Sequence, residues 1–367
     1  MLENGKIGVQ QFMILVILFT VGTSILLVPS LLVTEAKQDG WIAGILGVCV
    51  GLLSVWLYNT LGNLFPNKTL VEYSEEILGK WIGKAISLLF FSFSFTLTAL
   101  VLRNLGDFMT TQIMPETPIE SLHIIFLFIV IMGTRLGLEV LARAAEILFP
   151  WFISFFLLLV FFLFPEIKFE NIQPILEEGI KPVLRSAVPF IEFPFLELVI
   201  FLMIFPYVNR TKEASKAFLV GTTIGGIILI ILTGLAILVI SANLTSRDMY
   251  PTYVLATKIN IGNFLQRIEA IVAVLWFISI YFKLTICFYT SVLVLAQTLK
   301  LNDYRPLTLP LGMILIVYSL VVSPNIVYNI TVTPKAMIPH GLIVGFFLPL
   351  LLLGVALFQK KRQSKTG

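Results

Sequence analysis

Five ionisable side chains stand inside long apolar runs of this sequence: Arg103, Asp107, Glu192, Glu197 and Lys283. A charged group in hydrocarbon is costly, so each marks a candidate site with a partner to be found. Arg103 and Asp107 are four residues apart, which puts them on one helix face as an ion pair. Glu192 and Glu197 share the run A-V-P-F-I-E-F-P-F-L-E-L-V-I-F-L-M-I-F-P-Y-V. A carboxylate there can receive an ammonium, a hydroxyl or a freed backbone amide. Lys283 lies mid-run in I-V-A-V-L-W-F-I-S-I-Y-F-K-L-T-I-C-F-Y-T-S-V-L, too far from either end to snorkel to water. Two readings of it are open. Its ammonium bonds to backbone carbonyls freed elsewhere, as a bound sodium ion would, or it pairs with Glu197. Thr285 and Tyr289 are four apart and share a face, where their hydroxyls serve either a ligand or helix packing.

Other chemistry is not supported. His123 and His340 form no cluster, and Cys49 and Cys287 lack metal-ligand spacing. The sequence has no phosphate-binding glycine loop, no HExxH and no Ser-His-Asp arrangement. Neither an enzyme nor a metal or cofactor is expected. The basic tail, Lys360 to Lys365, reads as a topology anchor rather than a nucleic-acid patch.

The elements that position these groups must lie in a membrane. Hydrophobic residues make up 58% of the chain and charged residues only 13%, about half the soluble average. The segment Met1 to Gln10 lacks a basic n-region and a small-residue cleavage site, so the first apolar run is expected to be retained. Ten spans of about 20 apolar residues are expected. They fall near 11–33, 41–64, 81–113, 121–138, 147–164, 185–208, 214–240, 264–299, 306–322 and 338–358, within one integral membrane domain over 1–367. Lys and Arg favour the loops that are inner when both termini are cytoplasmic. Between spans seven and eight, Tyr250 to Lys258 could form a short interfacial helix.

The first span is the least regular. Gly22-Thr23-Ser24 sits near its middle and Pro29 follows within two turns. Glycine relaxes the backbone, and Thr and Ser can bond to carbonyls that lose their helical partner. In lipid, unwound backbone is tolerated only where protein or a cavity covers it. A broken helix holding a small polar ligand and a simple packing kink are the two readings. The sixth span carries Pro189, Pro194 and Pro206, each of which removes a backbone donor. Spans two and seven are glycine-rich, and spans three and eight are long. A five-span unit repeated once is inverted, because five is odd. The expected architecture is therefore all-α, with ten membrane helices in an inverted five-plus-five repeat and discontinuous helices 1 and 6.

In that frame Glu192 and the Arg103–Asp107 pair line an outer vestibule. Leu97 and Val101, one turn deeper than Arg103, floor a small pocket or pack as ordinary core. A ligand near the midplane would meet the amides of Gly22, Thr23 and Ser24 at the positive end of a half-helix, which suits a carboxylate. Glu197 would receive its ammonium or hydroxyl. Leu97, Val101, Phe193 and Phe195 leave room for a modest apolar side chain, and Thr285 and Tyr289 add hydroxyls. Lys283 is expected to approach the first-span break and hold the two halves together.

Several stretches together resemble the spore germination permease family, the B subunits of Ger-type nutrient germinant receptors. They are I-G-V-Q-Q-F, V-G-T-S-I-L-L-V-P, F-x-E-L-V-I-F-L-M-I-F-P-Y-V and the mid-span F-K-L-T-I. The resemblance covers essentially the whole chain. It implies the amino acid–polyamine–organocation transporter superfamily and its LeuT-like fold. It also implies nutrient sensing in the inner spore membrane, beside an A subunit and a C-subunit lipoprotein. On that basis Gly22, Thr23 and Ser24 match the first-span break and Glu197 the sixth-span acidic position. Members often carry glycine before that glutamate, where this chain has Leu196. A receptor subunit that binds an amino acid is the expected function. An amino acid permease, proton-coupled or sodium-independent, is the alternative, and a ligand-gated ion channel subunit a weaker one.

Overall fold

A computed structural model of the chain describes residues 5–259 and 269–366. The expected start of the eighth span near 264 and the first four residues lie outside the described residues. Among the described residues the chain is helical, without strands. Sixteen α-helices follow in order: α1 (Val9–Val21), α2 (Ser24–Ala36), α3 (Gly40–Leu64), α4 (Leu70–Leu78), α5 (Lys80–Phe108), α6 (Ile119–Leu136), α7 (Leu138–Leu163), α8 (Ile180–Phe190), α9 (Thr211–Leu235), α10 (Ala242–Arg247), α11 (Pro251–Thr257), α12 (Glu269–Thr298), α13 (Thr308–Val322), α14 (Ile326–Thr331), α15 (Thr333–Gly341) and α16 (Leu348–Thr366). Nine helical stretches among the described residues are long and apolar enough to cross a membrane. One of them, Ser24–Leu64, is α2 run into α3 through the 3₁₀ turn Lys37–Asp39. The first passage is thus α1 with α2, α3 is the second, and the bundle has ten passages.

Corresponding passages of the two halves pack on one another: α2 against α8, α3 against α9, and α5 against α12. That is the pairing an inverted repeat requires. The glycine-rich spans α3 and α9 approach closely. A Cβ on Gly226 would fall 2.6 Å from Val48 Cγ2, so α3 and α9 meet backbone to side chain.

The first passage breaks where its residues dictate. The amide of Gly22 still donates to Leu18 O at 2.8 Å, and the chain then turns at φ +24°, ψ −124°. Glycine alone adopts that conformation cheaply. Helix resumes at Ser24. Pro29 lacks an N–H and leaves the carbonyl of Ile25 without its helical donor. Thr252 Oγ1, on α11, supplies one at 2.9 Å. The segment from Tyr250 to Lys258 therefore forms a short helix docked on the broken span.

The sixth passage is interrupted in another way. It never opens into extended chain. After α8 it becomes a π-turn over Ile191–Phe195, then a 3₁₀ helix over Leu196–Met203. Pro194 cannot donate a backbone hydrogen bond, and the amide of Leu196 reaches back five residues to Ile191 O. Tyr58 OH, from α3, donates to Gly345 O at 2.6 Å and lies 3.3 Å from Leu196 O. It links the altered turns of the sixth passage to the π-turn Leu342–Phe347 of the tenth. At the far end of the sixth passage, Ile7 N donates to Tyr207 O at 2.9 Å and Asn209 N to Ile7 O at 3.0 Å.

Candidate functional site

Lys283 sits at the junction of three passages. Its Nζ lies 2.6 Å from Glu197 Oε2, with both side chains buried. Of the two open readings, the ion pair is the one the chain adopts. The aliphatic stem lies across the first-span break: a Cβ on Gly22 would be 2.3 Å from Lys283 Cδ. The ammonium is 5.2 Å from the centre of the Phe19 ring and 4.9 Å from that of Phe193, within cation–π range of both. One turn before Lys283, Ser279 Oγ donates to the carbonyl of Gly22 at 3.3 Å. The broken first passage is thus held to α12 by packing and one hydrogen bond. The sixth passage is held to α12 by charge.

Beside this junction lies a cavity of about 80 Å³. Its walls come from α2 (Leu27, Leu31), α5 (Leu97, Leu100, Val101, Asn104) and the sixth passage (Pro189, Glu192, Phe193, Glu197). Residues of α14 and α15 close the remaining side, among them Asn329, Thr333 and Met337. It adjoins a wider cleft of about 360 Å³ that shares Leu27, Asn104, Pro189 and Asn329 and runs to Glu35, Met249 and Lys335.

The Arg103–Asp107 pair forms at 2.9 Å and is buried. It stands behind the cavity wall. Asn329 Nδ2 donates to Asp107 Oδ2 at 3.1 Å and to Asn104 Oδ1 at 2.7 Å. The ion pair therefore fixes Asn104 and the short helix α14 at the cavity mouth. Nothing in the sequence singles out Asn104 or Asn329. The one signal was Arg103 and Asp107 flanking Asn104, which makes the neighbouring face polar as well.

Of the residues expected at a ligand site, the cavity brings together Leu97, Val101, Glu192, Phe193 and Glu197. Glu192 is on the cavity wall itself, deeper than a vestibule position. Gly22, Thr23 and Ser24 lie one turn below Leu27 and do not line the cavity. The hydroxyls of Thr23 and Ser24 are buried there without a hydrogen-bond partner. Phe195 points the other way: it packs against Phe190 and onto Gly51 of α3, where a Cβ would meet its ring at 2.4 Å. Thr285 donates to Tyr281 O at 2.7 Å and faces Gly133 of α6. Tyr289 packs edge-on against Tyr304. These three lie on faces turned from the cavity. Among the described residues no cluster of His, Cys, Asp and Glu could hold a metal ion.

Comparison with known proteins accords with this architecture. Residues 6–327 match a family model described as spore germination protein. Spore germination protein KB of Bacillus subtilis (strain 168) is 30% identical over 373 residues, covering 100% of this chain and 98% of that protein. Spore germination protein YndE of the same organism is 27% identical over 365 residues, covering 98% and 99%. Among solved structures, a substrate-bound Na⁺-coupled sialic acid symporter in its outward-open state superposes with a TM-score of 0.66 at 9% identity, covering 94% of this chain and 80% of the symporter. MhsT in complex with L-phenylalanine gives a TM-score of 0.62 at 14% identity, covering 94% and 87%. At those identities the likeness is one of fold: the inverted five-plus-five arrangement of LeuT-fold transporters.

Proposed function

We propose a function from one premise: this chain belongs to the spore germination protein family. It is a membrane subunit of a spore germinant receptor. It binds a small nutrient, an amino acid or a molecule of similar size, and passes a conformational change to an A subunit and a C-subunit lipoprotein. It resides in the inner spore membrane with both termini cytoplasmic, so the cleft that runs past Met249, α14 and α15 faces outward. The observation that supports this reading is the cavity between the interrupted first and sixth passages, with carboxylates on an otherwise mainly apolar wall. Its size restricts the ligand. About 80 Å³ is well under the ~300 Å³ at which common ligand pockets begin. One turn below the cavity, the head of α2 and the unpartnered hydroxyls of Thr23 and Ser24 present the positive end of a half-helix, which favours a ligand whose carboxylate points that way.

Val101→Phe tests the site. Val101 is on the cavity wall, and a phenyl ring there would occupy most of the space. The expected result is a germination dose–response with a narrowed ligand range, or a raised half-response concentration, at unchanged membrane levels on immunoblot. An unchanged curve for every ligand would move the site elsewhere and leave this chain a transmitter.

A second reading, an amino acid permease, draws on the fold shared with a sialic acid symporter. Radiolabelled solute uptake into vesicles holding the chain without partners supports the permease; its absence supports the receptor. Ion current from the chain alone would instead mark a channel subunit.

A further inference from the structure

The five ionisable residues inside the bundle resolve unequally. Arg103 and Asp107 cancel at 2.9 Å, and Lys283 and Glu197 cancel at 2.6 Å. Glu192 is left over. It is 5% exposed, and no hydrogen bond or salt bridge within the described chain reaches its carboxylate. The group lies flush against α15, where a Cβ on Gly341 would fall 2.6 Å from Oε1. From there it faces the cavity, whose other walls are mainly Leu27, Leu97, Leu100, Val101 and Met337.

A buried carboxylate without a donor is an uncompensated cost, and it is removed by whatever brings a donor or a positive charge. Glu197 cannot serve a ligand in this way. Lys283 already occupies it, and the pair is fully buried. The π-turn supplies the geometry. Leu196 N bonds to Ile191 O across five residues, so the next residue along on each side, Glu192 and Glu197, occupies an equivalent position across that turn. Both carboxylates reach one cavity, one neutralised and one not.

We propose that Glu192, rather than Glu197, receives the ammonium group of the ligand, so that the cavity selects small aliphatic amino acids over isosteres in which a hydroxyl replaces the amine. This rests on the reading that the cavity is the ligand site. The ammonium sets a positive charge against the unpaired carboxylate of Glu192, and its short charge-assisted bonds are worth more than those of a hydroxyl. The apolar residues opposite admit a small aliphatic side chain and exclude a polar side-chain end, which they would leave unsatisfied.

The test uses the purified full chain in lipid nanodiscs and reads its thermal midpoint. The probes are glycine, L-alanine, L-valine and L-leucine, each beside its 2-hydroxy acid: glycolate, L-lactate, L-2-hydroxyisovalerate and L-2-hydroxyisocaproate. At least one amino acid should raise the midpoint, and its hydroxy acid should need about 30-fold more or not act, the low end of what a lost buried charge partner costs. In Glu192→Gln the same amino acid should need about 30-fold more, and the preference for amine over hydroxyl should collapse. Gly341→Ala, which presses on the carboxylate without removing it, should weaken the same probe and covers the case in which Glu192→Gln does not fold. An equal response to amine and hydroxyl in the parent chain overturns the proposal alone, as does an undiminished preference in Glu192→Gln. A midpoint that responds to sodium or potassium chloride but not choline chloride, and loses that response in Glu192→Gln, means the carboxylate holds an inorganic cation and also overturns it. No response to any probe of either series overturns the proposal together with the cavity reading.

Discussion

Removing the ammonium of Lys283 while keeping the length of its side chain isolates what the charge does. In Lys283→Met the thioether still lies across Gly22, so the packing that fills the first-span break is largely kept. What is lost is the partner of Glu197, whose side chain is 2% exposed and whose Oε2 has the ammonium 2.6 Å away. Breaking a buried pair from one side costs about 3–5 kcal/mol, because the remaining charge stays buried and uncompensated. At about 1.4 kcal/mol per decade this is two decades or more in the folded-to-unfolded ratio. The single variant should therefore yield little assembled protein and a clearly lower thermal midpoint by fluorescence-detected size exclusion in detergent. Lys283→Met with Glu197→Met should recover most of the loss, since apolar side chains of similar volume replace a buried pair at little cost. Either of two results refutes the reasoning: a single variant with the parental midpoint, or a double variant that falls by the sum of the two singles. Sequence reading also has the ammonium holding the two halves through carbonyls near Gly22. The stem and Ser279 do that holding, and the charge goes to Glu197.

Three further perturbations address the supports of the site. Gly22→Ala puts a methyl 2.3 Å from Lys283 Cδ and 2.8 Å from Phe19 O at a positive φ; the strain of about 1–3 kcal/mol should lower membrane levels on immunoblot, and parental levels would contradict it. Asn329→Leu removes both donors that tie α14 to Asn104 and Asp107; hydrogen bonds to a charged group contribute about 1.5–3 kcal/mol, so amide exchange should quicken across Ile326–Thr331, and unchanged exchange there would show that the tie is slack. Thr252→Val leaves the carbonyl of Ile25 without a donor, an unsatisfied buried group costing about 1–3 kcal/mol, so α11 should exchange faster and the thermal midpoint should fall, with no change in either counting against the docking.

How legible all this is in the sequence depends on whether a feature is carried by composition or by register. Apolar runs near the length of a bilayer crossing announce the passages whatever their neighbours do. The break at Gly22 is equally local, since glycine next to Thr and Ser, with Pro29 beyond, weakens a helix in any context. The inverted repeat is legible because helix character repeats: interrupted, glycine-rich and long spans recur in the same order, and the structure packs each kind against its own. What packs against what within a face is less visible. Phe195, Thr285 and Tyr289 have suitable chemistry and sit on suitable spans, but helix rotation turns them toward Gly51, Gly133 and Tyr304. Asn329 belongs to a short helix between two passages, where apolar periodicity says nothing about what lies opposite.

The sixth passage shows the limit most clearly. Five residues of α-helix rotate a side chain by about 140° relative to the first, so Glu192 and Glu197 read as belonging to different faces: one near the mouth, one deep. The three prolines announce an interruption but not its form. Proline's missing donor can be absorbed by opening the chain, by kinking it, or by widening one turn. Leu196, where glycine would have eased an opening, keeps helical φ and ψ at −70° and −27°, and its amide is spent on the five-residue bond to Ile191 O. The interruption is therefore a wide turn followed by a tight one. A wide turn brings the fifth residue round beside the first, and that change of register alone moves Glu192 from the mouth to the wall it shares with Glu197. With Lys283 committed to one carboxylate, the register decides that the other faces the cavity unpaired, and so decides which of the two can meet a charged ligand.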